Sequence, residues 1–491
     1  MACPTPNLDR LRRAGTTFTN AYTSNPVCCA ARATLATGLT SRGHGVLQNG
    51  YRLNPELPTF MGALQTAGWQ TGGFGKLHFE PHYRGFDVDF HKYGFDVVLN
   101  TEDPRGGAWL DWIEQNHPGE YDAALATVWP TSIPAFSSYG TNRTDLASRI
   151  RVIRENFRWG TDDYPNGTAQ YYVLPFAEEL SQTAWISDHG LDFLACADPE
   201  RPFFAHISYV QPHAPSCPPA EYMERIDRSH IPEPVPPEWE DDPLAPHCFA
   251  QGGFRGDTAA WRDRRHYYLA DVAHLDHQLG LVLDALEESG RWEETVLIFL
   301  SDHGDLLFDH GFFGKGERHY DACVRIPLVV AGAGLRQGLK CDALVQLEDI
   351  MPTVLEFAGL PQPQLPISGT HSLEGTQSAL PGASLLPWCR GEQPSDWRDA
   401  VYIESYNNTN SRTPQNWART IRTHEWRYTL YPGGAGEQLF HISDDADETR
   451  NLAGDASKAK IRGVMRDRLL EAVILQDYPH PPRDLFALGV H

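Results

Sequence analysis

The chain has 491 residues, 41% hydrophobic and 21% charged, an ordinary globular composition with length for two or three domains. Its formal net charge of −23 excludes a general electrostatic partnership with nucleic acid, so an anionic substrate needs a local cationic pocket. No apolar run approaches the roughly 20 residues of a membrane span. The nine cysteines are odd in number, scattered and without a C-x-x-C pair, which argues against a disulfide framework or a zinc site.

In chain order, "TPNLDRLRRAG" predicts a short helix closed by Gly15, and "TTFTNAY" a β-rich segment. "NPVCCAARATLATG" places Cys28 at the start of an Ala-rich helix that ends at Gly38. "LPTFMGALQTAGW" has a helical pattern and "QTGGFG" reads as a strand running into glycines. From about His82 to Leu180 the periodicity is weak, and long loops over the active face are expected. "PFFAHISYV" and "TVLIFLS" predict buried strands on either side of a long helix, in which Tyr268, Val272, Leu275, Leu279, Val282 and Leu286 recur at helical spacing. "IPLVVAG" and "LEDIMPTVLEFAG" continue the alternation of strand and helix, which implies an α/β sheet covered on both faces. The Pro- and Gly-rich tract after Leu360 predicts a boundary, with a catalytic α/β domain over 1–365 and an antiparallel α+β subdomain over 366–491.

Four stretches put polar groups just past a buried strand or at a helix start, where open α/β sheets bind ligands. In "SDHG", Asp302 and His303 form a candidate divalent-metal pair, with a capping Asp and a surface His as the alternative. Lys315 follows a Gly-rich turn. In "GKLH", Lys76 and His78 share a side if the segment is extended. In "QPHAP", His213 lies in a loop stiffened by prolines. Cys28 faces the free N–H groups and positive end of its helix, and Arg32 lies one turn along the same face. Each stretch alone has a bland structural explanation.

Together they resemble the type I sulfatase family of the alkaline phosphatase superfamily. The pieces "PVCCAARATLATG", "GKLH", "QPHAP", "SDHG", "GK" and "RIPLVV" fall in family order, and the resemblance runs from "TPNLDRL" to "EQLFHISDDADETRNLA". It implies an alkaline phosphatase-like fold, with a large mixed, mostly parallel sheet between helices. It also implies that a formylglycine-generating enzyme oxidises Cys28 to formylglycine, Cys29 filling the variable place and Ala30 standing where Pro is commoner. Asp302, His303 and an oxygen of modified Cys28 would hold one divalent metal, calcium by family default, with manganese or magnesium possible. Lys76 and His78 would hold the aldehyde hydrate and the sulfate. His213 and Lys315 would grip the sulfate and assist the leaving oxygen. The expected reaction is hydrolysis of a sulfate monoester, of a sugar or an aryl alcohol. A phosphonate or phosphate ester hydrolase and a sulfatase-fold binding protein without turnover remain as alternatives.

His82, Tyr83, Arg84, Trp109, Arg412 and Trp417 are candidate substrate contacts, with loop anchoring as the alternative. The resemblance also implies a strand ending in acidic metal ligands before "TPNLDRL", and loss of such a strand would leave a groove in the sheet. The compartment depends on the start: cytoplasmic if Met1 is the true one, periplasmic or secreted if a signal peptide precedes it.

Overall fold

The computed structural model describes residues 3–81, 86, 88–129, 146–155, 171–240, 242, 244–246, 248–249, 260–363, 380–406 and 414–476. Pro6 opens α1 (Pro6–Ala14), where its missing N–H costs nothing, and Leu11 buries its inner face. The chain turns directly into β1 (Gly15–Tyr22). Next comes α2 (Cys28–Thr37), which is buried on every side, as its short Ala and Thr side chains allow. Gly38 ends α2 at φ 64°, in the left-handed region, and its N–H donates to Thr34 O. Then follow α3 (Phe60–Thr66), β2 (Gln70–Gly75), β3 (Val97–Asn100), α4 (Ala108–Asn116), α5 (Tyr121–Ala126), α6 (Leu146–Glu155) and α7 (Gln182–Cys196). After them come β4 (Phe203–Ser208), the long α8 (Ala260–Glu288), β5 (Val296–Leu300), β6 (Arg325–Gly332), β7 (Leu339–Gln346) and α9 (Ile350–Phe357).

The strands pair in two groups. One has the order β5-β6-β1-β7, with β1 antiparallel to β6 and parallel to β7. The other is the all-parallel β3-β2-β4. Between the edges of β4 and β5 lies a cavity of about 1350 Å³, walled by Phe203, Ile207, Leu279, Val282, Val296 and Phe299. Its lining also includes Lys76, His213, Asp302 and His303. This cavity corrects the expectation of fully buried strands: every residue of β4 and β5 is only half-buried, because each has a side on this space.

The region from His82 to Leu180 also departs from expectation. Its described part holds β3 and helices α4 to α6, whose Trp109, Leu110, Ile113, Leu125 and Ile150 form a core with Trp185. These helices run only 9, 6 and 10 residues, too short for a sustained period, which is why the sequence suggests loops there.

Beyond residue 380 the strands β8 (Ala400–Ser405), β9 (Ala418–Thr423), β10 (Trp426–Tyr431) and β11 (Gly436–His441) form an antiparallel meander. The helix α10 (Ala459–Leu475) covers it through Met465 and Leu469. This sheet touches the segment before α2, where Glu404 N donates to Ser24 O at 2.8 Å.

Candidate active site

Parallel pairing of β2 with β4 brings their carboxyl ends to one place, and the end of β5 reaches the same pocket. Cys28 sits there as the first residue of α2, fully buried. Around its Sγ stand His303 Nε2 at 3.3 Å, Lys76 Nζ at 3.6 Å and, in direct contact, Lys315 Nζ. Lys315 also lies 3.0 Å from His303 Nε2. It is swung inward by Gly314 and Gly316, at φ 83° and 112°, conformations that favour glycine. Arg32 turns from α2 toward β5: its Nε donates to Asp302 Oδ2 at 2.9 Å and one terminal nitrogen to Ser208 Oγ at 2.8 Å.

Lys76 and His78 reach the pocket, but not by strand alternation. The strand stops at Gly75, whose φ of 87° and close approach to Ser208 O leave no room for a side chain. His78 itself has φ 53°. Glu102 holds this turn, its Oε1 accepting from Leu77 N at 3.2 Å, His78 N at 2.9 Å and Asn100 Nδ2 at 2.8 Å. The next residue, Asp103, takes the side chains: Oδ1 is 2.5 Å from Lys76 Nζ, and Oδ2 is 3.6 Å from His213 Nε2. Arg105 completes the segment by donating to Pro215 O at 2.7 Å, tying down the loop that carries His213.

These residues were not among the sequence candidates. The signal was present, since "TEDPR" sets three charges at the end of a short β-branched run. Without the pairing of β3 with β2, nothing directs it to Lys76.

The ring tautomers follow from the contacts. His303 Nδ1 donates to Gly304 O at 2.8 Å and His213 Nδ1 to Ala214 O at 2.6 Å, so both present Nε2 to the pocket. A carboxylate oxygen of Asp302, a nitrogen of His303 and Cys28 Sγ all lie within 4.8 Å of one another. An imidazole oriented by a backbone carbonyl beside a carboxylate is a donor set that fits a divalent metal.

Burial alone would push the Cys28 thiol up, but Lys315, Lys76 and His303 outweigh it and hold the thiol well below its ordinary value. Burial pulls His213 down to about 4, against the opposing pull of Asp103. Burial also opposes ionisation of Asp302, yet His303 and Arg32 keep its carboxyl far below the usual range. The pocket is thus a desolvated place where positive charge converges on one sulfur.

Of the other candidates, His82, Tyr83, Arg84 and Arg412 lie outside the described residues. Trp109 is core: it is 1% exposed and its indole N–H donates to Leu180 O at 3.0 Å. Trp417 packs edge-on against Tyr406, with ring centroids 5.4 Å apart, and does not line the cavity.

Comparison with known proteins gives the family and the fold. The sulfatase family model matches residues 1–360, and the model for the C-terminal part of N-sulphoglucosamine sulphohydrolase matches residues 308–474. An arylsulfatase of Clostridium perfringens is 28% identical over 91% of this chain and 85% of its own length. The multifunctional alkaline phosphatase superfamily protein PehA of Trinickia caryophylli is 28% identical over 93% of this chain and 87% of its own. The phosphonate monoester hydrolase of Agrobacterium radiobacter superposes with a TM-score of 0.75 at 24% identity, covering 97% of this chain and 92% of that one. Since the sulfatase model spans well over half of the chain and includes every residue that converges on Cys28, the chain belongs to the sulfatase family of hydrolases, with the alkaline phosphatase-like fold.

Proposed function

We propose that the protein hydrolyses a small sulfate monoester, of a sugar or an aryl alcohol, at Cys28. The observation that carries this reading is the convergence of Lys76, Lys315, His213 and the Arg32–Asp302 pair on one buried sulfur at a helix N-terminus. Oxidation of Cys28 to formylglycine by a formylglycine-generating enzyme would supply the nucleophile. A divalent metal, calcium or else manganese or magnesium, would be held by Asp302 and His303 with modified Cys28, and would neutralise charge on the sulfate.

The protein's own groups account for the rest. The Lys76 and Lys315 ammonium groups bind the anionic oxygens and are fixed before the ester arrives, so no reorganisation opposes the charge that grows as the S–O bond breaks. His213 Nε2 faces the same space; the ring's own proton sits on Nδ1, so a proton taken up at Nε2 beside the bound anionic ester is the one that can pass to the departing oxygen. His78, 4.0 Å from Asp103 Oδ2, lines the nucleophile side. Arg32 keeps Asp302 ionised and aimed inward. Burial of these groups removes them from bulk water, which strengthens each of these attractions.

We further propose the division into a catalytic part, 1–365, and a C-terminal subdomain, 366–491. The described residues include no helix long and apolar enough to cross a membrane.

The test is expression beside a formylglycine-generating enzyme, followed by assay on aryl and sugar sulfates and mass analysis of the peptide from Ala14 to Arg32. An aldehyde at Cys28, a thiol at Cys29 and turnover that falls on chelation are expected. An active preparation with two intact thiols would overturn the nucleophile. The competing reading, a phosphonate or phosphate ester hydrolase, draws on the likeness to PehA and predicts faster turnover of phosphonate or phosphate esters in the same panel.

A further inference from the structure

Asp103 places a carboxylate inside a pocket otherwise suited to anions. It is 4% exposed, its Oδ1 pairs with Lys76 and its Oδ2 faces His213. One of its oxygens, Cys28 Sγ and a His213 nitrogen all lie within 4.8 Å of one another. An anionic ester reacting at Cys28 must therefore bring its negative oxygens close to a fixed negative charge. An amide could accept the hydrogen bond from Lys76 but would not supply the opposite charge that keeps this buried ammonium ionised, so Asp103 sets the charge balance of the pocket as well as a contact.

Coulomb repulsion scales with ligand charge: a dianion meets about twice the penalty of a monoanion at the same place. The two cations aimed at Cys28 are not alike. Lys76 is matched by Asp103, whereas Lys315 makes no ion pair with a carboxylate among the described residues. The protein side of the pocket thus carries less net positive charge than its count of cations suggests.

We propose that Asp103 is a specificity-determining residue, whose carboxylate tunes the pocket to monoanionic esters such as sulfate monoesters and against dianionic ones such as phosphate monoesters. This rests on Cys28 being the site of ester cleavage. Glu102, one residue earlier, fixes the turn through backbone N–H groups, while Asp103 acts on the side chains of Lys76 and His213.

The experiment compares kcat/KM for three esters of one phenol: the sulfate, a phosphonate monoester and the phosphate. The first two are monoanions and the third is a dianion. Asp103→Asn should raise the phosphate-to-sulfate ratio by about tenfold or more, since unit charges a few ångströms apart in a partly buried site interact that strongly. The phosphonate-to-sulfate ratio should hold, and Asp103→Glu, which keeps the charge, should retain the wild-type preference. A merely structural role predicts equal losses on all three esters in both variants, and that result would overturn the proposal. If Asp103→Asn does not fold, the wild type decides. Its phosphate-to-phosphonate ratio should rise as pH falls through the second phosphate ionisation near about 6, and a flat ratio counts against the idea. A wild type that turns over the phosphonate but not the sulfate sinks the sulfatase reading and still leaves the charge ratio measurable. A wild type inert toward all three esters overturns both.

Discussion

Two of the buried charge clusters among the described residues are built in opposite ways. At the Cys28 pocket, Lys76, Lys315 and His303 point at one atom, and the cluster opens onto the large cavity. At the junction of β9 to β11 with the segment His319–Asp321, the charges close on themselves. Arg427 pairs with Glu448 and lies over the rings of Tyr320 and Phe440, 4.9 and 4.5 Å from their centroids. Glu448 also accepts from Asp321 N at 2.7 Å, and Tyr320 OH donates to Glu238 Oε1 at 2.5 Å. His319 is held between Thr420 and Ser405 hydroxyls, at 2.8 and 3.2 Å.

Both clusters shift ionisation strongly. Burial and then Glu238 push the Tyr320 hydroxyl well above its ordinary value, much as the lysines push Cys28 the other way. Perturbed ionisation therefore does not by itself mark a site here. What separates the two is whether the charges cancel among themselves and whether the cluster can be reached.

The contrast can be broken by substitution. The largest effect is expected at the nucleophile. Cys28→Ala should lower kcat by on the order of 10^4-fold or more, with an unfolding midpoint close to that of the parent. A variant that keeps measurable turnover would place the chemistry elsewhere.

Lys315→Ala removes the one pocket cation without a carboxylate partner among the described residues. A loss of about 10^2 to 10^3-fold in kcat is expected, again with little change in denaturant midpoint. Instability comparable to that of an Arg427 variant would erase the distinction between the two clusters.

Arg427→Leu should behave in the reverse way. It leaves Glu448 buried without its cation, so stability should fall by about 3–5 kcal/mol, read by urea unfolding. Turnover per folded molecule should be retained.

The smallest effect is a pH dependence. Burial first, then Arg427 and Arg419, hold His319 neutral well below its ordinary 6.5. The unfolded chain therefore binds a proton below that value that the folded chain refuses. Stability contributed here is present above about 6.5 and is lost as pH falls, by at most about 1.4 kcal/mol per pH unit. His319→Gln should flatten the acid limb of the stability curve, and an unchanged slope would mean that other groups control it.

The local elements were largely open to the sequence, because they depend on neighbours along the chain. Pro6 and Gly15 bound α1, Gly38 closes α2, and the apolar run before Ser301 is β5. α7 and β7 carry no strong period and were not anticipated, and the short helices between His82 and Leu180 were hidden for the same reason. Trp109 shows the limit of composition: an aromatic suited to a sugar is a core residue, because α4 turns it toward Leu180.

By itself the sequence determined the family, the order of the motifs and the chemical types gathered at Cys28, Arg32, Lys76, His78, His213, Asp302, His303 and Lys315. Only tertiary structure decided how they meet. Lys76 and His78 converge through a turn that Glu102, just past the end of β3, stabilises, not through strand alternation. The cavity between β4 and β5, and the approach of Asp103 to Lys76, depend on strand pairings between residues far apart in the chain. Periodicity and capping record interactions within a few residues, whereas the charge of this pocket is set by contacts that no local pattern encodes.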